Sequence, residues 1–147
     1  MSRRRDDEGT ILLLTCGLAV VLMALVVVVI DVSVVVLAKR GVANAADGAA
    51  LVAAQQPDNG VLNDPGRRDA LAERLPLDRV LVAEVTARYQ RDAAAAQPGL
   101  QLRSDVVDGT EAVIRARRVV SLPFVGWFGV KSVVVEATGR ASSPVYR

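Results

Sequence analysis

The residues able to do chemistry are few and poorly placed for it. The 147-residue chain has no histidine and one cysteine, Cys16, which removes His-based triads, most metal sites and any internal disulfide. The carboxylates Asp105, Asp108 and Glu111 could approach a cation on a turn, but their spacing is not that of a calcium loop, and they read as hairpin-turn residues. Ser, Lys and Glu occur without the arrangement that activates a nucleophile. No catalytic residue, metal ligand or cofactor site is expected, and the protein reads as a non-enzyme. Arg115, Arg117 and Arg118 form a basic run that could meet an acidic partner or cell-wall polymer, though a solvated strand face is the simpler reading.

Composition points elsewhere. Hydrophobic residues make up 52% of the chain and aromatics only 3%, and the mean hydropathy is +0.33. This is too apolar for an ordinary soluble domain and too poor in aromatics for a nucleic-acid stacking platform. The net charge is +2, and its source is local: Arg3, Arg4 and Arg5 precede an apolar run, and Lys39 and Arg40 follow it. From Gly41 onward 13 basic residues face 12 acidic ones, which leaves no broad basic field for nucleic acid.

Ile11 to Ile30 carries no charge. Twenty helical residues at about 1.5 Å each match a hydrocarbon core of about 30 Å, so one membrane-spanning helix is expected. Apolar character resumes after Asp31 as far as Ala38, and Lys39 and Arg40 form a basic stop. Three arginines before the span favour a cytoplasmic N-terminus and an extracytoplasmic remainder. A cleaved signal peptide is the rival, with Ala43, Asn44 and Ala45 as its small-residue site, but the apolar run is longer than an ordinary signal core. Cys16 follows too short an apolar stretch for a lipoprotein box and reads as a lipid-buried thiol. Gly17 and Ala24 form no Gly-x-x-x-Gly pair.

Residues 39–56 continue with small apolar residues at helical spacing around Asp47, with a bend expected near Gly41. Pro57, Asp58, Asn59, Gly60, Asn63, Asp64, Pro65 and Gly66 then mark a loop. Residues 67–96 space Leu71, Leu75, Leu81, Val85 and Tyr89 as an amphipathic helix, which Pro76 should split into a short and a longer piece; residues 79–85 could instead form a short strand. After Gly99 the alternation changes to period two. Leu100 to Val106 and Ala112 to Ser121 suggest a hairpin about Asp108 and Gly109, with Ile114 and Ala116 on one face and Arg115 and Arg117 on the other. A Pro- and Gly-punctuated connection follows, residues 122–129, holding Trp127 and Phe128 as expected core aromatics, and Lys131 to Ala141 is a third strand.

The expected architecture is α+β: residues 1–10 a basic cytoplasmic N-terminus, 11–38 a transmembrane helix and its extension, 39–56 a helical stalk, and 57–147 a small extracytoplasmic domain of a helix and an antiparallel sheet. A long N-terminal helix whose outer part packs on such a sheet follows pilin-like logic.

The stretch from Glu8 to Gln55 resembles the N-terminal segment of the TadE/TadG-like proteins of tight-adherence (Flp-type) pilus assembly. The resemblance rests on Gly9 opening the apolar run, Asp31 ending it, the pair Lys39 and Arg40, and Asn44, Ala45, Ala46, Asp47, Gly48, Ala49, Ala50 and Leu51 beyond. The Leu-Pro-Phe connection and final strand are also similar. No acidic residue follows Gly9 before Asp31, so the uncleaved TadG-like subset is the nearer comparison. The resemblance implies a single-pass protein of the bacterial cytoplasmic membrane that takes part in a surface pilus or related secretion apparatus. Its partners would be the membrane and other subunits, further copies of itself included, with no nucleic acid or small-molecule substrate. It marks Asp31, Asn44 and Asp47 as assembly or packing residues, with Arg3, Arg4, Arg5, Lys39 and Arg40 at the membrane boundary. Without the resemblance, a membrane-tethered binding module for an envelope ligand, or a protein released by cleavage near Ala45, is the alternative.

Overall fold

A computed structural model describes residues 3–64, 74–124, 129 and 131–143, with only the backbone path of residues 3–8 and Leu62. The expected short helix around Leu71, the placement of Trp127 and Phe128, and the side chains of Arg3, Arg4 and Arg5 lie outside the described residues. The elements in order are α1 (Arg3–Ala53), α2 (Asn59–Leu62), α3 (Arg79–Ala93), β1 (Gln101–Val107), β2 (Glu111–Ser121) and β3 (Ser132–Ser142). The architecture is α+β, as the sequence leads one to expect.

α1 is a single uninterrupted helix of 51 residues. Its two halves differ in burial. Through Leu12, Leu14, Met23 and Val29 the apolar side chains are exposed, and the most apolar 18-residue stretch has a mean hydropathy of 3.2. The helix is long and apolar enough to cross a membrane. In its outer half Val42, Ala45, Ala46, Ala49, Ala50 and Ala53 are buried, and their three- and four-residue spacing makes one stripe. The helix continues through Gly41, as the small-residue spacing predicts, with Gly41 against the Gln97 side chain.

Where the sequence reads only as loop, Asp58 caps the single turn of α2 by accepting from the Gly60 amide at 2.8 Å. α3 settles the choice between helix and strand over residues 79–85. Asp78 accepts from the Val80 and Leu81 amides at 2.8 and 3.2 Å, satisfying donors that the first turn leaves open. Ala94 to Ala96 leave the helix as turns before Gly99, whose φ is +79°.

The sheet is antiparallel in the order β1–β2–β3. Asp108 and Gly109 both take positive φ, 51° and 71°, and the Thr110 amide donates to the Val107 carbonyl at 3.2 Å. This is the backbone twist that a tight hairpin favours. Ala112, Ile114, Ala116 and Val120 face inward while Arg115, Arg117 and Val119 face out. The inner face of the sheet covers the buried stripe of α1, and Val82, Leu100 and Leu102 join the same core. At the end of the domain beyond Ala53, Leu77 donates to the Gly109 carbonyl at 2.7 Å, Asp78 to that of Gln56 at 3.1 Å, and Ser143 to that of Thr110 at 2.8 Å. These bonds tie the helix end, the hairpin turn and the end of β3 together.

Candidate functional site

The region that joins the two halves of α1 brings together what could act. Asp31 is the first charged residue after the apolar run, and it lies on the stripe that continues through Val34 and Ala38 to Val42. Its side chain is buried, at 4% exposure, and its Oδ1 accepts the Phe124 amide at 3.3 Å. From its place just after the uncharged run, this carboxylate reads as an acid at the hydrocarbon edge. The structure instead turns it toward its own domain, because the stripe that faces the sheet includes position 31.

Beside this contact lies an apolar groove of about 270 Å³ lined by Val28, Asp31, Val32, Val35, Val36 and Leu122. The Leu122 amide donates to the Lys131 carbonyl at 3.3 Å, closing the neck of the β2–β3 connection. Phe124 is 47% exposed and Val134 45%.

The sheet reaches this depth because it can lie directly on the helix. A Cβ on Gly139 would overlap the carbonyl carbon and oxygen of Ala46 and come within 2.6 Å of the Asp47 nitrogen. Gly139 therefore lets backbone rest on backbone. From this point the geometry can be laid out along the helix. β3 runs seven residues from Gly139 to Ser132, about 23 Å at roughly 3.3 Å each. α1 runs fifteen residues from Ala46 to Asp31, about 22 Å at 1.5 Å each. The near end of the sheet is level with Asp31.

The other sequence-marked residues fall elsewhere. Asn44 and Asp47 are exposed on α1, between the buried positions that meet the sheet; Asn44 borders a second groove with Leu37, Arg40, Gln97 and Arg118. Lys39 and Arg40 are exposed, eight and nine residues beyond Asp31 along the helix. Cys16 is exposed on the apolar half of α1. No group of three His, Cys, Asp or Glu residues able to hold a metal occurs among the described residues. Asp105 is on β1, Asp108 in the turn, and Glu111 on β2 with Arg140 at 3.9 Å.

Three contacts went unmarked in the sequence. Gln97 Nε2 donates to the Gly41 carbonyl at 3.2 Å, pinning the turn after α3 to the helix. A Cβ on Gly48 would meet the Tyr89 hydroxyl, so α3 packs closely there. Gly139 itself sits in the period-two run Ala137, Gly139, Ala141, a small-residue pattern that was legible without being assigned a role.

On the outer face Arg103 stands directly across from Arg115, a like-charge pair that weakens a sheet. Arg117 meets Glu136 at 3.4 Å with both side chains more than half exposed. Such a surface pair contributes little.

The cleavage site that a secreted product would need lies inside the core helix: Ala45 is 3% exposed and Ala46 fully buried. Cutting there would separate Val42 from Ala49 and Ala50 in one packed stripe, which speaks against release at that bond.

Comparison with known proteins adds one finding. Residues 9–56 match the family model described as putative Flp pilus-assembly TadE/G-like. No curated protein and no solved structure matches the chain significantly. The matched segment coincides with α1, from the first residues of its apolar half to the end of its sheet-covered half. Across residues 9–56, then, about a third of the chain, the protein is similar to the TadE/TadG-like proteins of Flp pilus assembly.

Proposed function

We propose that the protein is a non-catalytic, membrane-anchored structural or assembly component of a bacterial surface pilus or related secretion apparatus. Residues 11–30 cross the cytoplasmic membrane from a cytoplasmic N-terminus, and the α+β domain stands outside. The observation that carries this reading is the division of one continuous helix: an exposed apolar half, followed without a break by a half that forms the domain's core. A domain built on its own anchor cannot swing freely from it, so the helix and the sheet move as one unit, as a subunit that transmits assembly contacts requires. The family match over residues 9–56 supplies the system.

The test is a C-terminally tagged copy in its native cells, followed through membrane, sheared-surface and medium fractions by intact mass, with deletion of the gene scored for pilus formation. Full-length protein in the membrane and loss of pili on deletion are expected. A fragment beginning near Ala46 in the medium would refute both topology and role. A membrane-tethered binding module for an anionic envelope ligand is the second reading, favoured by Arg103 and Arg115 standing opposite each other on the sheet; intact pili after deletion would point to it.

A further inference from the structure

Taking the membrane anchoring proposed above as its basis, we infer that the domain has a second membrane contact. The β2–β3 end, through Leu122 and Phe124, seats in the boundary between lipid headgroups and acyl chains, and Asp31 straps it to the helix at that depth.

Four observations meet at this end of the molecule. The near end of the sheet is level with Asp31 by the residue arithmetic along helix and strand, and Asp31 is the first residue beyond the apolar run that the bilayer would hold. Leu122 lies in a groove that runs along the helix from Val28 to Val36, which places it beside the end of the apolar run. Apolar side chains stay open here: Val28, Val32 and Val36 on the helix are exposed at 56, 55 and 46%, and Phe124, whose amide meets Asp31, at 47%. A soluble surface seldom leaves such a patch open, and one that runs on from a membrane span faces lipid. Lys131, exposed at the neck of the connection, is placed to reach lipid phosphate while the neighbouring apolar groups stay below it.

The Asp31 contact fits the same setting. A carboxylate at the edge of hydrocarbon is costly when left to lipid. Accepting the Phe124 amide at 3.3 Å both shields it and satisfies a backbone donor that water would otherwise have to serve. Helix and strap thereby hold the domain upright on the bilayer, with the outer face of the sheet and the Asn44 and Asp47 side of α1 turned to other proteins.

The experiment uses the full-length chain with Cys16→Ser, in vesicles of phosphatidylcholine and phosphatidylglycerol. Single cysteines replace Leu18, Phe124, Val134 or Thr138 in turn, and each carries an environment-sensitive fluorophore. Quenching by acyl-chain spin-labelled lipid is compared with quenching by iodide in the water. Leu18 should be quenched by lipid alone and Thr138 by iodide alone. Phe124 should show blue-shifted emission and severalfold more lipid quenching than Thr138, with Val134 between them. Because Phe124 is native in the Val134 variant, that reporter gives the depth gradient even if substitution at 124 disturbs the fold. A Leu18 reporter open to iodide would overturn the anchoring itself. Lipid-quenched Leu18 with Phe124 and Val134 as open to iodide as Thr138 would overturn the second contact alone. Phe124 shielded from both quenchers would mean that another copy of the chain covers the patch, and would also overturn it.

Discussion

Substituting Gly139 by alanine tests the contact on which the rest of the geometry depends. The added Cβ would overlap the Ala46 carbonyl and lie 2.6 Å from the Asp47 nitrogen, whereas ordinary contact needs about 3.5 Å. Neither neighbour is the movable end of a side chain. Both are backbone of a helix whose hydrogen bonds fix them, so β3 must retreat by about 1 Å. A gap of that size forfeits a quarter to a half of the dispersion attraction across it, and the β3 residues packed against the core beside Gly139 are Ala137 and Ala141. Overpacking of this kind costs about 1 to 3 kcal/mol. With backbone on both sides the upper part of that range applies, about 2 to 3 kcal/mol, or roughly 30- to 140-fold in the folding equilibrium. Pulse proteolysis of the full-length protein in detergent micelles across a urea series reads this as a midpoint lowered by about 1 to 2 M. Thr138→Ala, at an exposed neighbour on the same strand, should stay within about 0.5 kcal/mol of the parent. Ala46→Gly should not rescue Gly139→Ala, because the obstacle is the carbonyl and not the Ala46 methyl. A Gly139→Ala midpoint equal to that of Thr138→Ala, or rescue by Ala46→Gly, would refute the direct seating of sheet on helix.

Other outcomes follow from single contacts. Asp78→Ala removes the acceptor of two amides at the start of α3 and should cost about 1 kcal/mol, read as the same urea midpoint. Gly48→Ala should nearly cancel, since about 1 kcal/mol of helix propensity opposes the encounter with the Tyr89 hydroxyl; the same change in a Tyr89→Phe background should raise stability relative to Gly48→Ala alone, and equal midpoints would contradict the contact. Asp108→Val places a β-branched residue at a φ of 51° and should destabilise the hairpin by about 1 to 2 kcal/mol, whereas Asp108→Gly should be close to neutral. Gln97→Ala removes the side-chain donor to the Gly41 carbonyl and should increase amide hydrogen exchange in the turn after α3 while leaving α1 protected.

Much of the fold is legible in the sequence because local physics decides it. The uncharged run from Ile11 to Ile30 has no stable arrangement in lipid other than a helix. Period-two alternation around Ile114, Arg115, Ala116 and Arg117 assigns those side chains to opposite faces before any partner is known. The Asp108–Gly109 turn is written in residues that tolerate positive φ. The Gly9, Asp31, Lys39–Arg40 and Asn44–Leu51 pattern carried the resemblance that the family match over residues 9–56 supports. Less was legible over the start of α3, where residues 79–85 suit helix or strand alike until Asp78 caps the first turn.

What the sequence by itself determined is the kind of each element and the face each residue belongs to, since these follow from spacing along one chain. Only the tertiary structure decided which neighbour each face meets. Asp31 reads as a boundary acid from its place after Ile30, yet the stripe it shares with Val34, Ala38 and Val42 turns it into the domain, where it accepts from the amide of Phe124, 93 residues away. Gly139 reads as one more small residue until Ala46 is laid against it. Asn44 and Asp47 lie within the same motif as the buried alanines and still point outward, because 3.6 residues per turn separates them from the stripe. Periodicity is a property of a segment, whereas close approach is a property of two segments brought together, and no spacing within either one encodes the distance between them.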